Sequence, residues 1–173
     1  MNLKERTIIN VWGASNSGKS SSIRMAHQEL LKKLDSSYIF DPADFHSKGP
    51  DFEEIEKFAN LKIAFFGSGD DLWAAKGHAH YSMRYLVGDL KEEEIAQIEN
   101  EEVRNDYSAC DVIVVASRIR NNVADFIEEM AQTHGYRVLR FHPIQSKKPR
   151  EHVNHYNGKQ LVQMVEDVAL GKL

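Results

Sequence analysis

The sequence predicts an α/β protein in which a mainly parallel five-stranded sheet is covered by helices. Short apolar runs alternate with amphipathic stretches along all 173 residues, which is typical of parallel strands joined by crossover helices. The length suits a single domain, 1–173. One connection, at about 70–106, is longer than a crossover requires, and it predicts a helical insertion between the third and fourth strands.

Five short runs predict the strands, because each is apolar or rich in β-branched residues and is bounded by polar or turn-forming residues. In chain order the predicted strands are Thr7–Trp12, Tyr38–Asp41, Leu61–Phe66, Asp111–Ala116 and Tyr136–Phe141.

Apolar residues at helical spacing predict three helices outside the insertion. The first runs from about Gly18 to Leu34, the second from Val123 to Ala131, and the last from Lys159 to Leu170. Gly135 stands where the second of these helices should end, because glycine accepts the left-handed conformation that closes a helix.

The insertion has two halves of different composition. "DLWAAKGHAHYSMRYL" is rich in aromatic residues and histidine, and "KEEEIAQIENEEVRND" is acidic with only a thin apolar stripe. The acidic half predicts an exposed, solvated helix. The extra length also suits a lid or a region that grips a substrate, and the sequence leaves both interpretations open.

Charge and cysteine content exclude several classes of protein. A net charge of −4 gives no strong signal for nucleic-acid binding. The single cysteine, Cys110, excludes an internal disulfide framework and fits a reducing compartment. No apolar run approaches the eighteen residues of a membrane helix, and the first ten residues do not resemble a signal peptide. We therefore expect a cytoplasmic protein without a membrane partner.

The stretch "GASNSGKS", Gly13 to Ser20, matches the pattern G-x-x-x-x-G-K-[ST] directly after a predicted strand. Glycines at both ends let the backbone curl so that its N–H groups surround phosphate oxygens, and the helix that follows adds the positive end of its dipole. Lys19 can reach the β- and γ-phosphates, and the Ser20 hydroxyl can ligate Mg²⁺. The predicted cofactors are thus ATP or another nucleoside triphosphate and Mg²⁺, bound by Gly13, Ala14, Ser15, Asn16, Ser17, Gly18, Lys19, Ser20 and Ser21.

With its flanking strand and helix, this motif resembles the Walker A loop of the P-loop NTPase superfamily. The alternating elements extend the resemblance over most of the chain. The resemblance implies a three-layer sandwich in which the triphosphate lies at the carboxyl ends of the parallel strands. Guanine-specific members carry N-K-x-D after a late strand, where this chain has Ser117, Arg118 and Arg120. An arginine where guanine needs a carboxylate favours ATP over GTP.

The acidic residue that orients the magnesium shell in this superfamily has two candidates here. Asp41 ends a predicted strand directly, and Asp70 follows the turn Gly67-Ser68-Gly69. Asp41 also suits a plain turn before Pro42, and the glycine turn suits either a flexible connection or amides facing a phosphate. Asp111 begins its strand and so is expected at the opposite edge of the sheet.

In P-loop kinases an aspartate after the second strand often orients the acceptor hydroxyl, and Asp41 and Asp44 resemble that position. Arg118 and Arg120 are expected on the catalytic edge, where a guanidinium can neutralise transition-state charge. The catalytic candidates are therefore Lys19, Asp41, Asp44, Arg118 and Arg120, and the metal candidates are Ser20, Asp41 and Asp70.

Two functions remain open on the sequence. The first is a phosphotransferase that moves the γ-phosphoryl group to a small-molecule, nucleotide or polynucleotide acceptor. The second is a regulatory NTPase that acts through a protein partner, which the untidy magnesium-shell signal and the acidic half of the insertion favour.

Overall fold

The computed structural model describes residues 5–14, 17–37, 53–67, 78–118, 123–145 and 150–173. Within these residues, five strands form one sheet: β1 (Thr7–Gly13), β2 (Glu53–Phe58), β3 (Leu61–Phe66), β4 (Val112–Arg118) and β5 (Arg137–Phe141). The helices in the same residues are α1 (Lys19–Leu34), α2 (His78–Val87), α3 (Glu92–Ala96), α4 (Glu101–Asn105), α5 (Val123–His134) and α6 (Arg150–Ala169). The predicted α/β fold with a five-stranded, mostly parallel sheet is confirmed.

The spatial order of the strands is β2-β3-β4-β1-β5, which places β1 inside the sheet. β1 pairs in parallel with β4 on one side and with β5 on the other, and β3 pairs in parallel with β4. Because these four strands point the same way, their carboxyl ends meet at one edge of the sheet. The β1–α1 loop and the residues that follow β3 and β4 all leave from that edge.

The edge strand β2 is a feature that the sequence analysis did not predict. It pairs antiparallel with β3 across the two-residue turn Ala59-Asn60, in which φ is 51° and 67°. Positive φ at both central residues is the requirement of a type I′ hairpin. The sheet is therefore mixed, with one antiparallel edge. The predicted second strand, Tyr38–Asp41, lies outside the described residues.

Apolar residues cover the two faces of the sheet in separate clusters. On one face, strand residues such as Ile9, Val11 and Phe65 pack against α1 and α6. The helices contribute Ile23 of α1 and Leu161 of α6 to this cluster. On the other face they pack against α2 and α5 in a second cluster, which includes Ile8, Phe66, Ile113, Met83 and Ile127. Helices on both faces give the described residues a three-layer arrangement.

The long connection between β3 and β4 divides into a packed helix and an exposed acidic part. Met83, Leu86 and Val87 of α2 are buried against the sheet, so α2 belongs to the core. α3 and α4 contain no buried residue. The acidic half thus forms two short exposed helices rather than one long helix.

In the described ranges, no helix has both the length and the apolar character that crossing a membrane requires.

Candidate functional site

The loop between β1 and α1 needs both of its glycines for steric reasons. Gly18 caps the start of α1 with a φ of 83°. This left-handed conformation costs a non-glycine residue about 1–2 kcal/mol of conformational free energy. A Cβ on Gly13 would lie 2.6 Å from the Ser17 Oγ, so this end of the loop also lacks room for a side chain. A side chain at either glycine would therefore strain the described part of the loop.

The amino end of α1 favours an anion. Gly18 provides no side-chain cap, and the first turn contains no acidic residue, whereas Lys32 and Lys33 lie in the last turn. The first backbone N–H groups of a helix have no partner within the helix, and the dipole gives this end a partial positive charge. No carboxylate of the first turn competes with an external anion for this position.

Lys19 adds a buried cation to the loop. The residue is 3% exposed, and its Nζ donates a hydrogen bond to the Ala14 carbonyl oxygen at 2.7 Å. Removing an ammonium group from water costs several kcal/mol unless charged or hydrogen-bonding partners compensate. The loop therefore holds a buried lysine side chain next to the amino end of α1.

Two hydroxyl groups of the loop lie in different surroundings. Ser20 Oγ donates to the Gly67 carbonyl oxygen at 2.8 Å, which places Ser20 beside the carboxyl end of β3. Ser17 Oγ is buried and has no hydrogen-bond partner within the described structure. Hydroxyl oxygens together with phosphate and water oxygens form a donor set that suits Mg²⁺. The described loop residues therefore fit the magnesium ion that the sequence predicts.

Metal ligation by protein side chains alone is not found in the described ranges, where no group of three His, Cys, Asp or Glu residues could hold a metal ion. Both predicted magnesium-shell acids, Asp41 and Asp70, lie outside those ranges. Gly67, the last described residue before Asp70, is the residue that Ser20 contacts. The chain that leads to Asp70 thus leaves β3 next to the proposed metal ligand.

The structure brings together only part of the predicted site. Gly13, Ala14 and Ser17–Ser21 form the loop described above. Arg118 ends β4, and its Cα is the register partner of Gly13, although its side chain is not among the described atoms. The remaining predicted residues lie outside the described residues, and they are Ser15, Asn16, Asp41, Asp44, Asp70 and Arg120.

Two other residues lie at the opposite edge of the sheet, at the amino end of β4. Asp111 precedes β4 at this edge, as predicted, and its carboxylate accepts a hydrogen bond from the Lys62 backbone N–H at 2.8 Å. Cys110 is buried next to it, and burial raises the pKa of its thiol to about 12. The thiol is therefore protonated at neutral pH and is not a nucleophile.

Sequence reasoning missed a buried polar group on β1 itself. Asn10 is 1% exposed, and its Oδ1 accepts a hydrogen bond from Ser117 Oγ of β4 at 2.6 Å. Two positions further along the same face, Trp12 has its indole edge-on to His142, with ring centres 4.8 Å apart. An asparagine inside the otherwise apolar run "TIINVW" was the signal that could have identified this group.

Helix α6 supports the loop from the other side. A Cβ on Gly18 would lie 2.5 Å from Asn154 Oδ1, so α6 reaches the start of α1. One turn later, Asn157 accepts from the Ile144 N–H and donates to the Ile144 carbonyl oxygen, each at 2.9 Å. These contacts fix the chain that follows β5 relative to the phosphate loop.

Comparison of the chain with protein-family models, with curated proteins and with solved structures found no match. The function of the site is accordingly inferred from its own residues.

Proposed function

We propose that this protein binds ATP and Mg²⁺ in the loop Gly13–Ser21, as a P-loop protein does, and transfers the γ-phosphoryl group to a small-molecule, nucleotide or polynucleotide acceptor. The observation that carries the proposal is the burial of the Lys19 ammonium group at the amino end of α1. A buried cation, helix N–H groups and a glycine-lined loop at the carboxyl edge of a parallel sheet together match the charge and shape of a polyphosphate.

The loop residues divide the work of holding the triphosphate. Backbone N–H groups of the loop donate to phosphate oxygens, and Lys19 exchanges its 2.7 Å bond to the Ala14 carbonyl oxygen for a stronger, charge-assisted bond to a phosphate. Ser20 exchanges its bond to Gly67 for a place in the metal shell. When bound, Mg²⁺ neutralises charge that develops on the β- and γ-phosphates.

The transfer step assigns roles to the aspartates at and after the predicted second strand, Tyr38–Asp41. The acceptor hydroxyl oxygen forms a bond to the γ-phosphorus while the bond from that phosphorus to the β–γ bridging oxygen breaks, and ADP leaves. The hydroxyl proton passes to Asp44 or Asp41. Arg118 or Arg120 neutralises the charge of the transition state, since Arg118 ends the strand β4 as the register partner of Gly13.

A regulatory NTPase is the second candidate, and one observation favours it. α3 and α4 contain no buried residue, carry an acidic first turn each, and leave Val103 39% exposed. Such a surface suits contact with a protein partner better than it suits catalysis. On this alternative, ATP hydrolysis is slow and alters the partner surface.

Turnover of ATP in the presence of an acceptor panel separates the two candidates. The panel consists of nucleosides, nucleotides and 5′-hydroxyl oligonucleotides, and the readouts are ADP release and a phosphorylated product. If the protein is a phosphotransferase, one acceptor should strongly stimulate ADP release and should itself become phosphorylated. Slow hydrolysis that no acceptor changes would favour the regulatory protein.

A substitution tests the transfer role independently of binding. Asp44→Asn removes a proton acceptor while it keeps the size of the side chain, so we expect unchanged ATP affinity and a rate of transfer lower by a factor of about 10²–10⁴. Asp41→Asn is the matched variant, because the same loss at position 41 would move the role to that residue. Full transfer activity in both variants would contradict a base at either position.

A further inference from the structure

We propose that Asn10 and Trp12 form a subsite for an oxyanion, either a carboxylate or a phosphate group, of the molecule that accepts the phosphoryl group. This inference deepens the proposed function and rests on it for the identity of the ligand as second substrate. It depends on a different set of atoms, on the face of β1 that packs against α2 and α5.

Asn10 supplies the first donor. The residue is 1% exposed, and its Oδ1 accepts a hydrogen bond from Ser117, which is itself fully buried. That bond fixes the carboxamide and leaves Nδ2 as a buried donor with no partner in the described structure. A buried donor without a partner costs about 1–3 kcal/mol and is rare in native proteins.

Trp12 supplies the second donor. Its Nε1 atom is also buried and without a partner, although the residue as a whole is partly exposed. Trp12 lies two positions after Asn10 on the same strand, so the two side chains leave the same face about 7 Å apart. Two neighbouring unpaired donors are explained together by one ligand that carries acceptor oxygens.

The neighbouring side chains suit a ligand with acceptor oxygens. The Arg140 guanidinium carbon lies 5.4 Å from the centre of the Trp12 ring, and His142 contacts the same ring. Arg140 also donates to the Glu128 carboxylate at 3.1 Å, so its charge is partly compensated. The preference for an oxyanion therefore depends on the two donors, Asn10 Nδ2 and Trp12 Nε1, with the guanidinium group beside the Trp12 ring.

The position of the subsite suits the second substrate of a phosphoryl transfer. Trp12 directly precedes Gly13, the first residue of the phosphate loop, and Ser117 is its register partner on β4. A molecule held by Asn10 and Trp12 is therefore anchored next to the loop but does not occupy it. The subsite binds the anionic handle of the acceptor, and the reacting hydroxyl lies elsewhere on the same molecule.

The indole N–H of Trp12 reports directly on this interaction. In ¹⁵N-labelled protein the chain gives two indole signals, from Trp12 and Trp73, and Trp73→Phe assigns them. We expect a saturable downfield shift of the Trp12 indole proton when inorganic phosphate or sodium acetate is added at constant ionic strength, with sodium chloride as the control. In Asn10→Leu, the anion concentration that gives half of the maximal shift should rise at least tenfold. Asn10→Asp, which keeps the shape but replaces the donor by a carboxylate, should do the same if the leucine variant does not fold.

Lys19→Ala distinguishes this subsite from the phosphate loop. The Trp12 response should persist in that variant, because the loop cation takes no part in it, and a failure of ATP binding would also leave it intact. Loss of the response in Lys19→Ala would place the anion in the loop and overturn the inference. Absence of a saturable shift with both phosphate and acetate would overturn it as well, since the two donors would then be satisfied by water alone.

Activity gives a second readout once an acceptor is found. Trp12→Phe removes only the N–H donor and keeps an aromatic ring in contact distance of Arg140. We expect the KM for the acceptor to rise about tenfold while the KM for ATP stays unchanged. Equal changes in both values would indicate a structural role for Trp12 and contradict the subsite.

Discussion

Two features favour glycine at position 18. The backbone has a φ of 83°, and a Cβ would lie close to the Asn154 side chain. We expect Gly18→Ala to lower the free energy of unfolding by about 1–2 kcal/mol through its backbone conformation alone, with a further loss from the contact. Urea denaturation measures this loss.

Gly135 provides the matched control, because its φ is 72° but no atom lies within 4 Å of the position of a Cβ. Gly135→Ala should therefore show only the backbone component. In the Asn154→Ala background, Gly18→Ala should lower the free energy of unfolding only as much as Gly135→Ala does in the unsubstituted protein. Equal losses of unfolding free energy in Gly18→Ala and Gly135→Ala would show that the contact of the added methyl group with Asn154 costs nothing.

The β1–α1 loop with its motif residues could be located from the sequence, whereas the Asn10 group could not. Gly13, Gly18, Lys19 and Ser20 occur at fixed spacing within one short stretch, so their chemistry is local. The hydrogen bond between Asn10 and Ser117 joins residues 107 positions apart, and it depends on the pairing of β1 with β4. No local pattern specifies which strand lies beside β1.

The packing of α1 against α6 depends on the absence of a side chain at Gly158. An added Cβ would lie 2.5 Å from the Met25 Cβ and 3.2 Å from the Met25 carbonyl carbon. In a helix, Gly→Ala alone should stabilise by about 0.5–1 kcal/mol, but overpacking costs about 1–3 kcal/mol. We therefore expect Gly158→Ala to destabilise the protein by about 1–2 kcal/mol in urea denaturation.

A double-mutant cycle with Met25→Gly checks the cause. Glycine lacks the Cβ that the added methyl group would meet, so Gly158→Ala should cost less in the Met25→Gly background, with a coupling energy of about 1 kcal/mol or more. A coupling energy near zero would contradict the proposed contact between the helices.

An ion pair joins α2 to α3 and gives the stability a dependence on pH. Arg84 donates to both oxygens of Glu94, at 2.8 and 2.6 Å, and this hydrogen bonding lowers the pKa of the Glu94 carboxyl from 4.5 to about 2. A depressed pKa stabilises the folded state above the unfolded value, and this contribution is lost as the pH falls from about 4.5 to about 2. Glu94→Gln should therefore destabilise the protein at pH 7 and have little effect near pH 2.

Glu93→Gln is the control for this measurement, because Glu93 is an exposed glutamate in the same first turn of α3. The free energy of unfolding of the three proteins at pH 7, 4 and 2.5 gives the comparison. A difference between Glu94→Gln and the unsubstituted protein that stays constant over this range would show that the ion pair does not stabilise the fold.

Elements with a strong apolar run were predictable, and the antiparallel edge of the sheet was not. β1, β3 and β4 match predicted strands within about two residues because buried parallel strands are continuously apolar. The partly buried edge strand β5 also matches its predicted strand within one residue. β2 is rich in charge, with only Ile55 and Phe58 as apolar residues, and its Ala59-Asn60 turn lacks the glycine that marks most type I′ hairpins. Tertiary pairing with β3 decides its conformation.

At the scale of the whole molecule, the sheet order puts the β1–α1 loop between the carboxyl ends of two parallel neighbours. β1 lies between β4 and β5, so groups from the ends of both neighbours can reach a ligand held above Gly13. The strand order itself could not be predicted, because periodicity identifies strands without identifying their neighbours. The parallel direction could be predicted from the alternation of strands and helices.

Binding of MgATP is the central claim, and isothermal titration calorimetry tests it most directly. The account predicts a saturable one-to-one binding heat for ATP in millimolar Mg²⁺, weaker binding of GTP, and a loss of affinity of at least tenfold in Lys19→Ala, with circular dichroism confirming that the variant is folded. If the folded protein gives no binding heat with any common nucleoside triphosphate, or if Lys19→Ala binds ATP as tightly as the unsubstituted protein, the account is contradicted.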